Sequence, residues 1–146
     1  MDLACSQREL EQLLAEVAFT RNFGFTLDGI RDGQCSINVP FREAFERPGG
    51  IVSGQVFMAA ADGAMWLAIK TKLGLADSSV TAELKTNFLG AARKQGFCCT
   101  AKILKLGRRL IYGTVECVDA SGRLLTHSTV TYVRGEIAPV GPDDRP

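Results

Sequence analysis

The sequence predicts an α+β fold, a curved antiparallel sheet of about six strands wrapped around one long apolar helix. Three observations carry this expectation. Residues Gly49–Gly74 (GGIVSGQVFMAAADGAMWLAIKTKLG) stay apolar for about five helical turns. Residues 80–133 alternate apolar and polar side chains at the period of strands, interrupted by short turns. Asp32-Gly33, set between two further extended segments, is a hairpin signal. A helix that is apolar all round has to be surrounded, and a sheet with one polar face is the cover the chain supplies.

Each element has its own local reason. Ser6-Gln7-Arg8-Glu9 reads as a capping box, and Leu10, Leu13, Leu14, Val17 and Ala18 share one face, predicting a surface helix over about 6–18 that Asn22 and Gly24 end. Phe25, Leu27 and Ile30 begin the first extended segment. Cys35, Ile37 and Val39 alternate with Ser36 and Asn38 in the second, up to Pro40. Phe41–Pro48 reads as a turn or a single helical turn whose Arg42, Glu43, Glu46 and Arg47 are solvated. Ser53 is the expected N-cap of the long helix, with Gly54 and Gln55 its first residues, Lys70 and Lys72 in its last turn and Gly74 just beyond. Ala59, Ala60, Ala61, Gly63 and Ala64 let neighbouring elements approach its backbone. After a loop at Ala76–Ser79, Val80, Ala82, Leu84, Thr86 and Phe88 form the apolar side of a strand, opposed by Thr81, Glu83, Lys85 and Asn87. A basic turn with Arg93 and Lys94 leads to a strand through about Leu106, with Phe97, Cys99, Ala101 and Ile103 on one face. Gly107-Arg108-Arg109 makes a corner, and strands at Leu110–Val118 and Leu124–Val133 follow, joined by a turn at Asp119–Gly122. Residues 1–134 are expected to form one domain. The tail from Gly135, with three prolines and two aspartates, has little to bury and is expected to be mobile.

Composition excludes several function classes. With 146 residues and 46% hydrophobic side chains the chain can build one core. A net charge of +1 with dispersed basic residues argues against nucleic acid as a partner. Ser53, Gln55 and Asp62 interrupt the apolar window, which argues against a membrane span. Five cysteines, an odd number without CxxC spacing, and a polar amphipathic start in place of a signal peptide point to a reducing cytoplasm. One histidine leaves His-based zinc sites and Ser-His-Asp triads little to draw on, and there is no P-loop, dinucleotide fingerprint or internal repeat. Neither metal nor cofactor is expected.

Asp62 is the first functional candidate. An ionised carboxylate within so apolar a helix costs several kcal/mol or shifts its pKa unless it is paired. Function and a structural buried acid bonded to a neighbouring hydroxyl are the two readings of the residue alone. Eight residues earlier, the free N–H groups after Ser53 offer a site for a developing negative charge.

Arg47-Pro48-Gly49-Gly50, Val52-Ser53-Gly54, Ala61-Asp62-Gly63-Ala64, the strand Val80–Leu89 and Lys105-Leu106-Gly107-Arg108, in this order and spacing, resemble the hotdog-fold acyl-CoA thioesterases of the phenylacetate-degradation (PaaI) type. The resemblance runs from about Phe25 to Val133. Many members carry His-Gly-Gly at the helix start, where this chain has Ser53-Gly54-Gln55; the family's oxyanion-donor glycine corresponds to Gly54, at the right separation from Asp62. An Asn or Gln that often precedes the glycines is matched in place by Arg47, and no role passes to it. The hydroxyl that lies near the acid in related enzymes corresponds to Thr81.

The resemblance implies a metal-free thioester hydrolase acting on acyl-CoA. Thioester cleavage needs a donor aimed at the developing oxyanion and a base or nucleophile at the carbonyl carbon. Gly54 N–H is the expected donor. Asp62 either activates water or attacks directly, and Thr81 bonds Asp62 or the water, or is an ordinary strand threonine. Ser53, Gln55 and Asn87 are candidate substrate contacts, Met58, Met65 and Trp66 candidate walls of an acyl pocket, and Arg93, Lys94, Arg108 and Arg109 candidate partners for the phosphates of coenzyme A. Cys98 and Cys99 read as packing residues, and His127 as structural or at the surface. The family also implies a homodimer joined edge to edge, often a dimer of dimers. A hotdog protein that binds acyl-CoA without catalysis is the alternative; a dehydratase would need a histidine with its acid, and His127 lies outside the helix motif.

Overall fold

The computed structural model describes residues 2–135. Two helices, α1 (Gln7–Glu16) and α2 (Ala18–Phe23), precede a hairpin of β1 (Thr26–Arg31) and β2 (Gln34–Val39). A 3₁₀ turn at Glu43–Phe45 and a two-rung ribbon, β3 (Glu46–Arg47) with β4 (Ile51–Val52), lead into α3 (Gly54–Leu73). Four strands complete the chain: β5 (Val80–Phe88), β6 (Phe97–Leu106), β7 (Leu110–Val118) and β8 (Leu124–Val133). The main sheet is antiparallel throughout, in the order β1-β2-β6-β7-β8-β5. The expected tail lies outside the described residues except for Gly135, whose carbonyl accepts the Ser78 hydroxyl at 2.8 Å.

The capping box is present, Ser6 Oγ accepting the Glu9 N–H at 3.1 Å while the Glu9 carboxylate accepts the Ser6 N–H at 2.7 Å. The single helix expected over about 6–18 is instead two. Val17 turns extended at φ −72°, ψ 121°, and the buried Thr20 hydroxyl closes the corner on the carbonyls of Leu14 and Val17. Thr20 therefore makes the break, by giving the freed carbonyls a local partner. Leu10 and Leu14 are buried and α1 packs against β1.

Helix α3 is enclosed along most of its circumference, Ala60, Ala61, Ala64, Leu67 and Ala68 being fully buried. Its C-terminal end is fastened to the hairpin. Gly33 N–H donates to Thr71 Oγ1 at 2.9 Å, and Lys72 pairs with Asp32 at 2.8 Å. Lys70 is itself buried: its ammonium donates to the carbonyls of Leu75 and Asp77, both at 3.2 Å, and lies 5.1 Å from the centre of the Trp66 ring. Burial pulls its pKa down.

What α3 leaves uncovered forms a stripe. Gly54, Met58, Asp62 and Trp66, spaced by four, stay partly or wholly exposed, with Gln55 and Ala59 beside them. Residues four apart stack along one side of a helix, so the stripe is continuous.

The strand after α3 departs from simple alternation. Thr81 pairs with Tyr132 and Glu83 with Thr131, so Ala82 is an extra residue, a β-bulge. The bulge inverts the expected face of the strand's first residues. Thr81 shares the inner face with Leu84, Thr86 and Phe88, while Val80 joins Glu83, Lys85 and Asn87 outside. The last strand, β8, is an interior strand, and the edges of the sheet are β1 and β5. Strand β5 returns to the far side of β8 because α3 delivers the chain there.

One close approach sets the helix against the sheet. A Cβ on Gly113, in β7, would collide with the Met65 methyl of α3 and with the carbonyl of Lys102. Gly113→Ala should therefore lower folding stability by about 1–3 kcal/mol, the usual cost of overpacking. The check is the midpoint of urea denaturation, and a midpoint at or above that of the parent would show that no such contact limits the core.

Candidate active site

Asp62 lies half-buried on the open stripe of α3, with its carboxylate directed to the sheet. Thr81 Oγ1 donates to Oδ1 at 2.7 Å, and the Tyr132 hydroxyl reaches the same oxygen at 2.7 Å and the Asp62 backbone carbonyl at 3.1 Å. Thr81 and Tyr132 are opposite one another in the β5–β8 ladder, so one rung of the sheet supplies both hydroxyls. Tyr132 is 3% exposed; burial and the charge of Asp62 push its phenol up, which keeps it a neutral donor. These three residues, with Trp66, Val80 and Phe19, line a groove of about 380 Å³.

Gly54 opens a second groove of similar size, lined by Arg47, Ile51, Phe57, Phe88 and Leu89. Ser53 caps the helix, its Oγ accepting the Gln55 N–H at 3.4 Å. Among the described residues no acceptor lies within hydrogen-bonding reach of the Gly54 N–H. A Cβ at this position would come to 2.9 Å from the Phe88 ring, so glycine is what lets the ring lie over the helix start. Asp62 and Gly54 thus face separate grooves, as expected for groups roughly 12 Å apart along a helix axis.

The other candidates divide between these places. Met58 is exposed midway between Gly54 and Asp62, and Trp66 lies in the Asp62 groove. Met65 does not; at 1% exposure, off the open stripe, it packs into the core against β7. Asn87 shares a ladder rung with His127 on the outer face, away from Asp62, where its alternation with Leu84, Thr86 and Phe88 puts it. Ser53 and Gln55 remain at the helix start, Ser53 as a cap. Arg93 donates to the Gly49 carbonyl at 3.2 Å and with Lys94, at φ +47°, stands near the Gly54 groove. Arg108 and Arg109 form the exposed β6–β7 corner, which Arg134 braces through the carbonyls of Gly107 and Arg109.

Sequence reading missed Tyr132 and the α1–α2 corner with Phe19. A tyrosine near the end of an alternating strand carries no sign of what its hydroxyl meets. Among the described residues no cluster of three or more His, Cys, Asp or Glu is placed to hold a metal ion, and no helix is long and apolar enough to cross a membrane.

Comparison with known proteins decides the family, the Thioesterase superfamily description matching residues 49–126, more than half of the chain. The chain belongs to the Thioesterase superfamily. The match begins at Gly49 and spans α3, the bulge and the strands to Thr126. A curated relative from Thermoplasma acidophilum, named "Putative esterase", is 28% identical over 85% of this chain and 93% of its own. Another of that name, from Saccharolobus solfataricus, is 36% identical over 65% of this chain and 67% of its own. The hotdog fold of the superfamily recurs in a Haemophilus influenzae thioesterase, with a TM-score of 0.84 at 19% identity over 95% of this chain and 98% of that one. A hypothetical thioesterase with coenzyme A from Streptococcus pneumoniae superposes with a TM-score of 0.70 at 18% identity, covering 76% and 85%. A phenylacetic-acid-degradation-related protein from Ralstonia eutropha, called a putative thioesterase, gives 0.78 at 22%, covering 87% and 98%.

Neither Cys98 nor Cys99 of this thioesterase-superfamily chain is set up as a nucleophile. Cys99 is fully buried opposite Cys117, with its thiol pushed up by burial, and Cys98 is raised by burial and by Asp28. Cys98→Ser should leave thioesterase turnover within about twofold of the parent, and a larger loss in a folded variant would bring that thiol into the site.

Proposed function

We propose that the chain is an acyl-CoA thioesterase of the phenylacetate-degradation type, hydrolysing a thioester to a carboxylic acid and free coenzyme A. The observation that carries this reading is the Asp62 carboxylate, held by two hydroxyls at the wall of an open groove on a thioesterase-superfamily fold. The Gly54 N–H binds the carbonyl oxygen and strengthens its hold as negative charge develops there. Asp62 then acts by one of two routes. It takes a proton from a water that attacks the carbonyl carbon, or it attacks the carbon itself, expelling the coenzyme A thiolate and leaving a mixed anhydride for water to cleave.

Neither route works within one chain, because one carbonyl cannot meet both grooves. Strand β5 supplies the way round. It pairs with β8 on one side only, and Val80, Phe88 and Leu89 are exposed along it, an edge that proteins ordinarily cover. Thr81 and Phe88 lie near its two ends, so pairing β5 antiparallel with β5 of a second copy about Leu84 brings the Asp62 groove of one chain to the Gly54 groove of the other. Arg93 and Lys94 of one chain would then join Arg108 and Arg109 of its partner around a substrate whose coenzyme A phosphates need cations. The homodimer is the catalytic unit on this reading, and further pairing to a tetramer is compatible with it. A cytoplasmic location accords with the odd cysteine count without CxxC spacing.

Binding without catalysis is the second reading, favoured by Ser53 and Gln55 where many relatives carry histidine and glycine. A panel of acyl-CoAs, assayed by release of the free thiol, separates the two. Turnover is expected, and Asp62→Asn should remove it by on the order of 10²–10⁴-fold while the fold persists. Near-normal turnover in folded Asp62→Asn would take the acid out of the chemistry.

The shared site has its own test. Gly54→Pro deletes the N–H at a first-turn position whose backbone accepts proline, although its Cβ would also press on the Phe88 ring, and each single-variant homodimer should be inactive. A purified heterodimer of Gly54→Pro with Asp62→Asn has one site with both defects and one with neither, so about half of the parental activity should return. A verified, folded heterodimer without activity would place both groups in the same chain's site.

A further inference from the structure

Asp62 is held asymmetrically. Both nearby hydroxyls converge on Oδ1, Thr81 at 2.7 Å and Tyr132 at 2.7 Å, and among the described residues no donor or cation reaches Oδ2. We infer that Tyr132 is a positioning residue, whose hydroxyl clamps Oδ1 together with Thr81 and so reserves Oδ2 for the reacting thioester or its water. The inference rests on the thioesterase reading for its consequence in catalysis, and on the geometry alone for the clamp.

The physics of the clamp is that of a carboxylate rotor. The terminal torsion of an aspartate is broad and nearly two-fold, so one hydrogen bond leaves it free to swing about the bonded oxygen. Two donors arriving from opposite strands remove that freedom. Tyr132 suits the task because its phenol is buried and neutral and stands on an interior strand, where the ladders to β5 and β7 fix its backbone on both sides. Its single proton goes to Oδ1, the shorter and charged contact, in preference to the Asp62 carbonyl at 3.1 Å. With that proton committed, Tyr132 acts on the substrate only through Asp62. Displacing a reacting group by about 1 Å costs on the order of 10² in rate, so loss of one arm of the clamp should appear in turnover and spare binding.

The test is Tyr132→Phe, which keeps the ring and deletes the hydroxyl. In the acyl-CoA assay kcat should fall roughly 10–100-fold with KM within about twofold. In an Asp62→Asn background the same change should have no further effect on the residual rate. An unchanged kcat, a loss confined to KM, or an equal loss in the Asp62→Asn background would each overturn the inference.

A measurement independent of activity uses the two tyrosines of the chain. Tyr112→Phe protein grown with 3-fluorotyrosine carries one reporter, at Tyr132, and its fluorine resonance should move when Asp62 becomes Asn. A resonance that stays in place overturns the clamp whatever the kinetics, and it answers the question even if Tyr132→Phe does not fold. Absence of hydrolysis by the parent with a resonance that moves would instead overturn the thioesterase reading and uphold the clamp.

Discussion

A twenty-residue helix that is apolar on almost every side cannot stand in water, and the rest of this chain is arranged by the need to cover it. Enclosing α3 takes a strongly curved sheet, and curvature on that scale needs small residues where helix and strands meet. Ala60, Ala61, Ala64 and Ala68 provide them on the helix, and Gly113 does so on β7 under Met65. The cover is incomplete along one side. The stripe from Gly54 through Met58 and Asp62 to Trp66 is where the sheet ends at β5, and every group proposed for chemistry on α3 lies on it.

The same enclosure accounts for the cost of placing an acid there. An unpartnered carboxylate on a half-buried apolar surface is expensive. Hydrogen bonds to a charged group contribute roughly 1.5–3 kcal/mol each, and Asp62 has two, from opposite members of one ladder rung. Structural support and functional poise are therefore one arrangement, because the bonds that let the acid be buried also orient it. They are anchored in strands, which places the acid more precisely than a loop would.

With the roles proposed for Asp62 and Gly54, their two grooves are each half of what thioester cleavage requires, a base without an oxyanion donor and a donor without a base. The free edge of β5 lies between them, apolar at both ends. On the proposed reading an incomplete site next to an unpaired strand links chemistry to assembly, since the pairing proposed to cover the edge would also unite the halves.

The long helix was legible because nothing but burial suits twenty such residues, and its ends were legible because Ser53 and Gly74 are local signals acting within a turn of where they stand. Asp62 stood out for the same local reason, an acid where acids are costly. Motif spacing then pointed to Gly54 and to the thioesterase superfamily. Tertiary structure alone decided three things. Thr20 breaks the first helix through carbonyls three and six residues back, contacts that periodicity does not register. The bulge at Ala82 turns Thr81 to the inner face, where the resemblance but not the alternation had placed it, since a two-residue period cannot reveal a residue that the ladder skips. Tyr132, seventy residues from Asp62, meets it only because α3 packs against β8. Local propensity is written within a few residues of where it acts, whereas the partner of a buried charge is set by which strands the whole chain brings side by side.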